Sequence, residues 1–252
     1  MAQAGFTNLF VGIETPDEPS LPECNKSHNK TRNLVESVKI LQRHGMQVMA
    51  GFIIGFDSDT PSIFQQQIDL IQRSGIVTAM VGLLQAPKGT ELYARLQREG
   101  RLLGEMSGDN VVDETNFVTR MDREYLRSNY RALVESLYQP DRYYARVRNL
   151  LTVYKEPREG PLLTRDVVLA TLRCFFWLGL VRAGRTHFWH TLLWTCCFRR
   201  KSVQTFLGLA ILGYHFRRIY QDLLSRPPRV PPGAVVAGEV ADPQPVVGTL
   251  NR

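Results

Sequence analysis

The chain has 252 residues, 44% of them apolar, 22% charged and 10% aromatic. That composition can bury a core and excludes a wholly disordered or collagen-like polypeptide. Four cysteines, with only Cys196 and Cys197 adjacent, exclude a disulfide scaffold and fit a reducing cytoplasm. Met1-Ala-Gln-Ala-Gly5 has neither a basic start nor an apolar run, so no secretory signal is expected.

The formal charge of +7 is unevenly placed. Residues 1–106 carry 10 basic and 11 acidic side chains, and residues 107–166 carry 10 of each. Residues 167–225 carry eight basic side chains against Asp222 alone, and the same stretch holds all three tryptophans. A charge-driven partner is to be sought there.

The first hundred residues contain a threefold near-repeat. Gly5-Phe-Thr-Asn-Leu-Phe-Val-Gly12 is echoed by Gly45-Met-Gln-Val-Met-Ala-Gly51 and by Gly75-Ile-Val-Thr-Ala-Met-Val-Gly82. Such runs, too short for helices and apolar on both faces, predict buried parallel strands. Each is followed by a helical pattern: Leu34, Val35, Val38 and Leu41; Phe64, Ile68 and Ile71 after a Thr60 cap and Pro61; Leu92, Tyr93 and Leu96 after a Thr90 cap. Strand, helix and glycine, three times over, predict consecutive βα units.

A complete βα barrel needs roughly 200 residues or more, so residues 1–106 are expected to form a partial TIM-like barrel entered midway. A small self-contained three-unit domain is the alternative, at the cost of two unpaired apolar edges. Beyond it, Asp122 opens a helix through Tyr125, Tyr130 and Leu137, and Tyr143 to Leu151 mark another. Three apolar stretches bounded by arginines follow (Val167–Val181, His187–Phe198, Val203–Phe216), none reaching the roughly 18 uncharged residues of a membrane span. The expected organisation is a partial barrel over 1–106, an α-helical region over 107–225 and a disordered, proline-rich tail over 226–252.

In parallel βα architectures ligands bind at the carboxyl ends of the strands. There the repeat places Gly12-Ile-Glu14-Thr15-Pro16, Gly51-Phe-Ile53-Ile-Gly55-Phe-Asp57-Ser-Asp59-Thr60 and Leu84-Gln85-Ala86-Pro87-Lys88-Gly89-Thr90. Glu14 is a carboxylate at a strand mouth, suited to ribose hydroxyls or an ammonium group. Gly51 and Gly55 let a flat ligand approach the backbone, and Ile53 offers an apolar surface to a ring. A strand-end glycine also serves as a simple turn.

In this order and spacing the segments resemble the second half of a radical S-adenosylmethionine (SAM) enzyme core. Val11-Gly-Ile-Glu14-Thr15 resembles the segment ending the fourth strand, Gly51-x-Ile53-x-Gly55 the adenine-contacting fifth-strand motif, and Pro87-Lys-Gly89-Thr90 the end of the sixth strand. The longer context is similar to cobalamin-type radical SAM proteins with a helical domain after the barrel. The residues behind this are Phe10-Val-Gly-Ile-Glu-Thr-Pro16, Ala50-Gly-Phe-Ile-Ile-Gly-Phe-Asp57, Ala79-Met-Val-Gly-Leu-Leu84 and Glu99-Gly-Arg-Leu102. The resemblance implies SAM contacts from Glu14, Thr15, Gly51, Ile53, Gly55, Gln85 and Pro87. It also implies a 4Fe-4S cluster and a link to cobalamin in the whole enzyme.

The chain departs from that family in lacking CxxxCxxC, the thiolate set that holds the cluster; Cys24, Cys174, Cys196 and Cys197 have no such spacing. The chain is thus expected to be a C-terminal portion, inactive alone and completed by an N-terminal half in the same reading frame or by a separately encoded partner. The competing reading is a non-catalytic barrel remnant that binds a membrane surface or a protein.

Other groups have plainer alternatives. His187-x-x-His190 with Cys196-Cys197 reads as soft-metal ligands or as helix packing. Asp57 and Asp59 read as acid/base groups, or Asp59 as a cap for the helix at Pro61. Cys24 reads as an exposed thiol. Trp177, Trp189 and Trp194 with their arginines suit a helical cap over the barrel, a lipid headgroup layer or, with no recognisable fold for it, nucleic acid. The protein is expected in the cytoplasm, with the inner membrane face as a peripheral site and a small molecule or lipid as substrate.

Overall fold

The computed structural model describes residues 1–106, 108, 113–156 and 164–226. The tail expected from 226 onward lies, beyond Arg226, outside the described residues. Three parallel strands, β1 (Asn8–Glu14), β2 (Gln47–Ile54) and β3 (Thr78–Leu83), form one sheet in the order β1-β2-β3. Helices α1 (Leu34–Arg43), α2 (Ile63–Ser74) and α3 (Glu91–Arg98) follow the strands in turn. Then come α4 (Arg123–Tyr138), α5 (Pro140–Val153), α6 (Arg165–Phe176), α7 (Arg185–Phe198) and α8 (Val203–Ser225). The fold is α/β, with a small parallel sheet and many helices; closure into a barrel is not present among the described residues.

The helix starts follow local chemistry. The Asn33 side chain accepts from the Glu36 N–H at 3.0 Å, Thr90 from Tyr93 at 3.2 Å and Asp122 from Tyr125 at 2.8 Å. α2 starts two residues later than expected, with Ser62 as its N-cap. Thr60 is used in a turn instead: its carbonyl accepts from the Ile63 N–H and its hydroxyl meets that of Ser62 at 2.8 Å.

The two faces of the sheet differ. Val48, Ala50, Phe52 and Ile54 alternate inward along β2 and join Ile13, Ala79 and Val81 in a core with Ile63, Ile71 and Leu126 from the helices. The opposite face pairs Phe10 with Met49, Gly12 with Gly51, Gly51 with Met80 and Ile53 with Gly82. That face is open, with Phe10 58% and Met80 41% exposed. Runs expected to be buried on both sides are therefore covered mainly on one side among the described residues, because α1, α2 and α4 pack on the Val48–Ile54 face, and on the other face Ile53 packs against the Phe56 cluster.

Of the two sheet edges, β1 and β3, one is met by the helices. Leu84 N–H donates to the Ile54 carbonyl, so the alternate carbonyls of Ala79 and Val81 point away from β2. Tyr138 and Tyr130 of α4 donate their hydroxyls to these two carbonyls at 2.7 and 3.0 Å. The β3 edge is thereby occupied by side-chain donors rather than by another strand.

The same core continues through the helical region to Leu223. Tyr138 stacks with Tyr143, Phe216 and Tyr220, while Tyr144, Phe188 and Phe206 form a second aromatic group. Arg146, fully buried, lies over the Tyr138 and Tyr143 rings and donates to the Gln72 side-chain carbonyl at 2.7 Å, tying α5 to α2.

Candidate functional site

The expected ligand face is built where the strands end. At the end of β1 the pairing with β2 slips between Gly12 and Glu14, and Glu14 takes a left-handed φ of +67°. That conformation is uncommon for a residue with a Cβ and is concentrated at functional sites. It folds the Glu14 carboxylate back over Gly12, where a Cβ would collide with it, and toward the Lys26 ammonium. Burial raises the Glu14 carboxyl above the usual carboxylate range, and the Lys26 charge works against that rise.

Cys24 sits in the same corner. It is half-buried against the Phe56, Leu84 and Phe117 cluster rather than exposed as expected, and its thiol donates to the Leu21 carbonyl at 3.4 Å. Burial, then the neighbouring Glu14 carboxylate, push the Cys24 thiol up, so it is a poor nucleophile there.

At the end of β2 the Gly55 turn, with φ of +109°, is closed by Asp59. The Asp59 carboxylate accepts from the Gly55 N–H at 2.7 Å, the Phe56 N–H at 3.1 Å and the Ser20 hydroxyl at 2.8 Å. It therefore braces its own turn instead of capping a helix at Pro61. Burial pushes its pKa up to about 6, against the opposing pull of those three donors. Glu23 accepts from the Asp57 and Ser58 N–H groups at 3.1 and 2.8 Å. The segment Glu18–Cys24 is thus clamped onto the β2 loop.

Asp57 is held by Arg101 at 2.6 Å and Arg95 at 3.1 Å, with Arg120 at 3.7 Å. The Arg101 hydrogen bonds, ahead of any other influence, keep its carboxyl below the usual range. It is an ionised anchor, unsuited to proton transfer near neutrality.

The remaining strand-end residues divide between the open face and the backbone around it. Gly51 lies under the Phe10 ring on the open face, and Ile53 packs at the margin of the Phe56 cluster. Thr15 is buried, its hydroxyl accepting from the Asp17 N–H at 3.1 Å. Gln85 turns its amide to the Glu114 carbonyl at 2.5 Å, and Ala86 is held on both backbone groups by Asn116. The Pro87 carbonyl accepts from the Thr90 hydroxyl at 2.7 Å. Glu14, Gly51 and Ile53 therefore share the open face and its mouth, whereas the Thr15 and Gln85 side chains are bonded to neighbouring backbone. Ser20, Glu23, Lys26 and Asn116 support the site without any local sequence signal.

The donor set fits SAM better than a metal. A half-buried carboxylate, two glycines in register and an apolar side chain suit an ammonium, a ribose and a flat ring. Among the described residues no group of three His, Cys, Asp or Glu side chains is placed to hold a metal ion. Cys174 is buried while Cys196 and Cys197 are exposed, so the thiols do not fit a 4Fe-4S cluster.

Residues 90–227 match the family described as a domain of unknown function, DUF4070. The chain belongs to that family. The resemblance carried by the segments between Phe10 and Leu102 stands with it: these are cobalamin-type radical SAM proteins with a helical domain of this kind. An uncharacterised methyltransferase of Synechocystis is 34% identical over 194 residues, covering 75% of this chain and 36% of the relative. A hopanoid C-2 methylase of Rhodopseudomonas palustris is 40% identical over 113 residues, 45% of this chain and 21% of the relative. A bacteriochlorophyllide d C-12(1)-methyltransferase of Chlorobaculum tepidum is 27% identical over 95 residues, 38% of this chain and 21% of the relative. This DUF4070 chain thus spans about a third or less of the relatives it matches, and those relatives are named as methyltransferases.

Proposed function

We propose that this chain supplies one wall of the SAM site in a radical SAM methyltransferase. The observation that carries the reading is the open sheet face, where Gly12 lies beneath the Glu14 carboxylate and its register partner Gly51 beneath the Phe10 ring. Residues 1–106 are the partial barrel in this reading, residues 107–225 the helical domain and residues 226–252 a tail. The cluster thiolates and the cobalamin contacts belong to the rest of a longer protein or to a separate half.

Bound SAM supplies an activated methyl group and the source of an organic radical. Glu14 accepts hydrogen bonds from its ribose hydroxyls or ammonium, displacing the Lys26 ammonium that balances the carboxylate otherwise. In this reading the adenine plane would take the place of the Phe10 ring over Gly51, Ile53 would cover one side of it, and the Gly55 turn and the Gln85–Pro87 backbone would border it. Asp59, Ser20 and Glu23 keep the Gly55 turn fixed, so the ligand meets a preorganised wall. Two relatives are named for methylation at a carbon, C-2 of a hopanoid and C-12(1) of a bacteriochlorophyllide d. By analogy the substrate proposed here is a bulky, largely apolar ring system methylated at carbon. A second reading, a non-catalytic remnant that binds a surface, draws support from the exposed aromatics of α6 and α7.

Glu14→Gln in the complete enzyme, or in this chain together with its missing half, tests the assignment. Losing a charge-assisted pair worth roughly 1.4 kcal/mol lowers SAM affinity about tenfold. Calorimetric titration beside a melting curve reads both effects. Unchanged affinity with a lowered melting point would make Glu14 a structural residue and overturn the site.

A further inference from the structure

We infer that the α6–α7 hairpin is a docking surface for an anionic lipid bilayer. This rests on the exposed face of the hairpin and not on the SAM reading. α7 buries Phe188 and Leu192 inward, while Trp189 and Leu193 face outward beside His187 and His190, Leu193 58% exposed. Large apolar side chains on a helix are normally covered, yet Trp189 and Leu193 stay exposed among the described residues. On α6, Leu169, Leu172 and Phe176 recur on one outward face, and Leu180 continues it through the π-helical turn Trp177–Val181.

Ring contacts join the two helices into one surface. Phe175 packs against Phe188 and Trp189, and the Trp189 indole N–H donates to the Gly179 carbonyl at 2.8 Å. Phe176 meets Trp177 edge-on, and the Arg182 guanidinium lies 5.3 Å from the centres of both the Trp177 and Tyr214 rings. Soluble surfaces carry scattered apolar side chains; a patch of this continuity marks an interaction site.

Charge selects the partner. Arg173, Arg185, Arg200 and Lys201 are exposed around the patch, and the sequence has no acidic residue between Asp166 and Asp222. Apolar side chains ringed by arginines, with tryptophans between, match the acyl boundary, the phosphates and the interface of an anionic leaflet. Leu169, Leu172, Leu180 and Leu193 are exposed beside the aromatics and offer no stacking platform for bases, and this favours lipid over nucleic acid. No helix among the described residues is long and apolar enough to cross a membrane, so the hairpin lies on the surface.

Flotation of the 252-residue chain with phosphatidylglycerol-containing vesicles, against pure phosphatidylcholine vesicles, tests this. Because all three tryptophans lie in this hairpin, their emission reports the contact directly. The expected result is flotation and a blue shift with the anionic vesicles alone, both reduced by salt. Each cation removed weakens binding about fivefold, so Arg185→Gln with Lys201→Gln loses most of it. Leu172→Ser with Leu180→Ser loses it as well, and Lys30→Gln with Arg32→Gln leaves it unchanged. Circular dichroism checks the fold; if the serine pair does not fold, the glutamine pair decides. Failure to float, or equal binding to neutral vesicles, overturns the proposal. So does binding of a poly(dT) oligonucleotide in place of vesicles, or a solution dimer abolished by the serine pair. Flotation that appears only after removal of residues 227–252 overturns it too, assigning the tail as the cover.

Discussion

Tyr138 of α4 donates its hydroxyl to the carbonyl of Ala79 on β3 at 2.7 Å, from a position buried in the aromatic core. One side chain thereby serves two bodies: its ring stacks among helices α5 and α8, and its oxygen occupies the edge of the sheet. Tyr130 repeats the contact two residues along, at Val81. An exposed strand edge invites pairing with another chain, and here the helical region removes that opportunity at β3.

Tyr138→Phe removes the side-chain donor from the buried Ala79 carbonyl, and Tyr130→Phe removes one from the Val81 carbonyl, which the Tyr220 hydroxyl also reaches; both keep the ring. Each substitution is expected to cost about 1–2 kcal/mol. Urea unfolding of the single and double variants measures it. Because both act on one strand edge, the double variant should also aggregate faster than either single variant. Loss-free unfolding curves would mean that the two hydroxyls do not hold the edge.

These tyrosines also set a pH response. Burial pushes the Tyr220 hydroxyl up to about 12 and Tyr138, Tyr143 and Tyr144 up as well. The fold favours the neutral form, whereas the unfolded chain releases phenolic protons near pH 10. Their contribution is therefore complete below about pH 10 and is lost as pH rises beyond it, at up to about 1.4 kcal/mol per pH unit for each tyrosine. Absorbance at tyrosinate wavelengths should rise together with loss of helical dichroism. Ionisation of the buried tyrosines near pH 10 with dichroism intact would count against the packing described.

Much of the architecture is legible in the sequence because it rests on local chemistry. The glycine-bounded apolar runs become β1, β2 and β3, and Thr90 and Asp122 cap the helices that their spacing announces. What escapes is long-range. The hydroxyls of Tyr130 and Tyr138 look like ordinary members of an amphipathic stripe until the sheet edge is placed beside them. Ser20 and Glu23 lie in an irregular segment with no periodicity, and their partners are 39 and 35 positions away. Asp59 follows the same rule: a carboxylate before Pro61 suits a helix start, but in the fold it meets the Gly55 and Phe56 N–H groups at 2.7 and 3.1 Å.

Asp59→Asn isolates that turn. The buried carboxyl holds its proton up to about pH 6, above the ordinary value near 4. Its folded pKa is raised, so the stability tied to the neutral form is present below about pH 4 and is lost as pH rises through 6. Asparagine keeps a carbonyl for the two N–H donors and never ionises. The stability difference should move in favour of the variant by about 2–3 kcal/mol between pH 4 and pH 7. Urea midpoints for both proteins across that range give the answer, and a constant difference would contradict the burial of an ionisable group there.

The open face of the sheet supplies a prediction whose sign depends on context. Phe10 and Met80 project from β1 and β3 on the face that no described helix covers. In the chain by itself such side chains promote association, so Phe10→Thr with Met80→Thr should lower light scattering and raise the soluble yield. Threonine suits a strand and removes the apolar surface. In the complete enzyme of the partial-barrel reading the same face becomes barrel interior. There the two substitutions exchange buried apolar volume for hydroxyls and should cost roughly 2–5 kcal/mol in all. Measuring both contexts separates a true half-barrel from a small self-contained domain. A variant that improves the isolated chain and leaves the complete enzyme's stability unchanged would show that this face stays in water, and that the missing strands do not close over it.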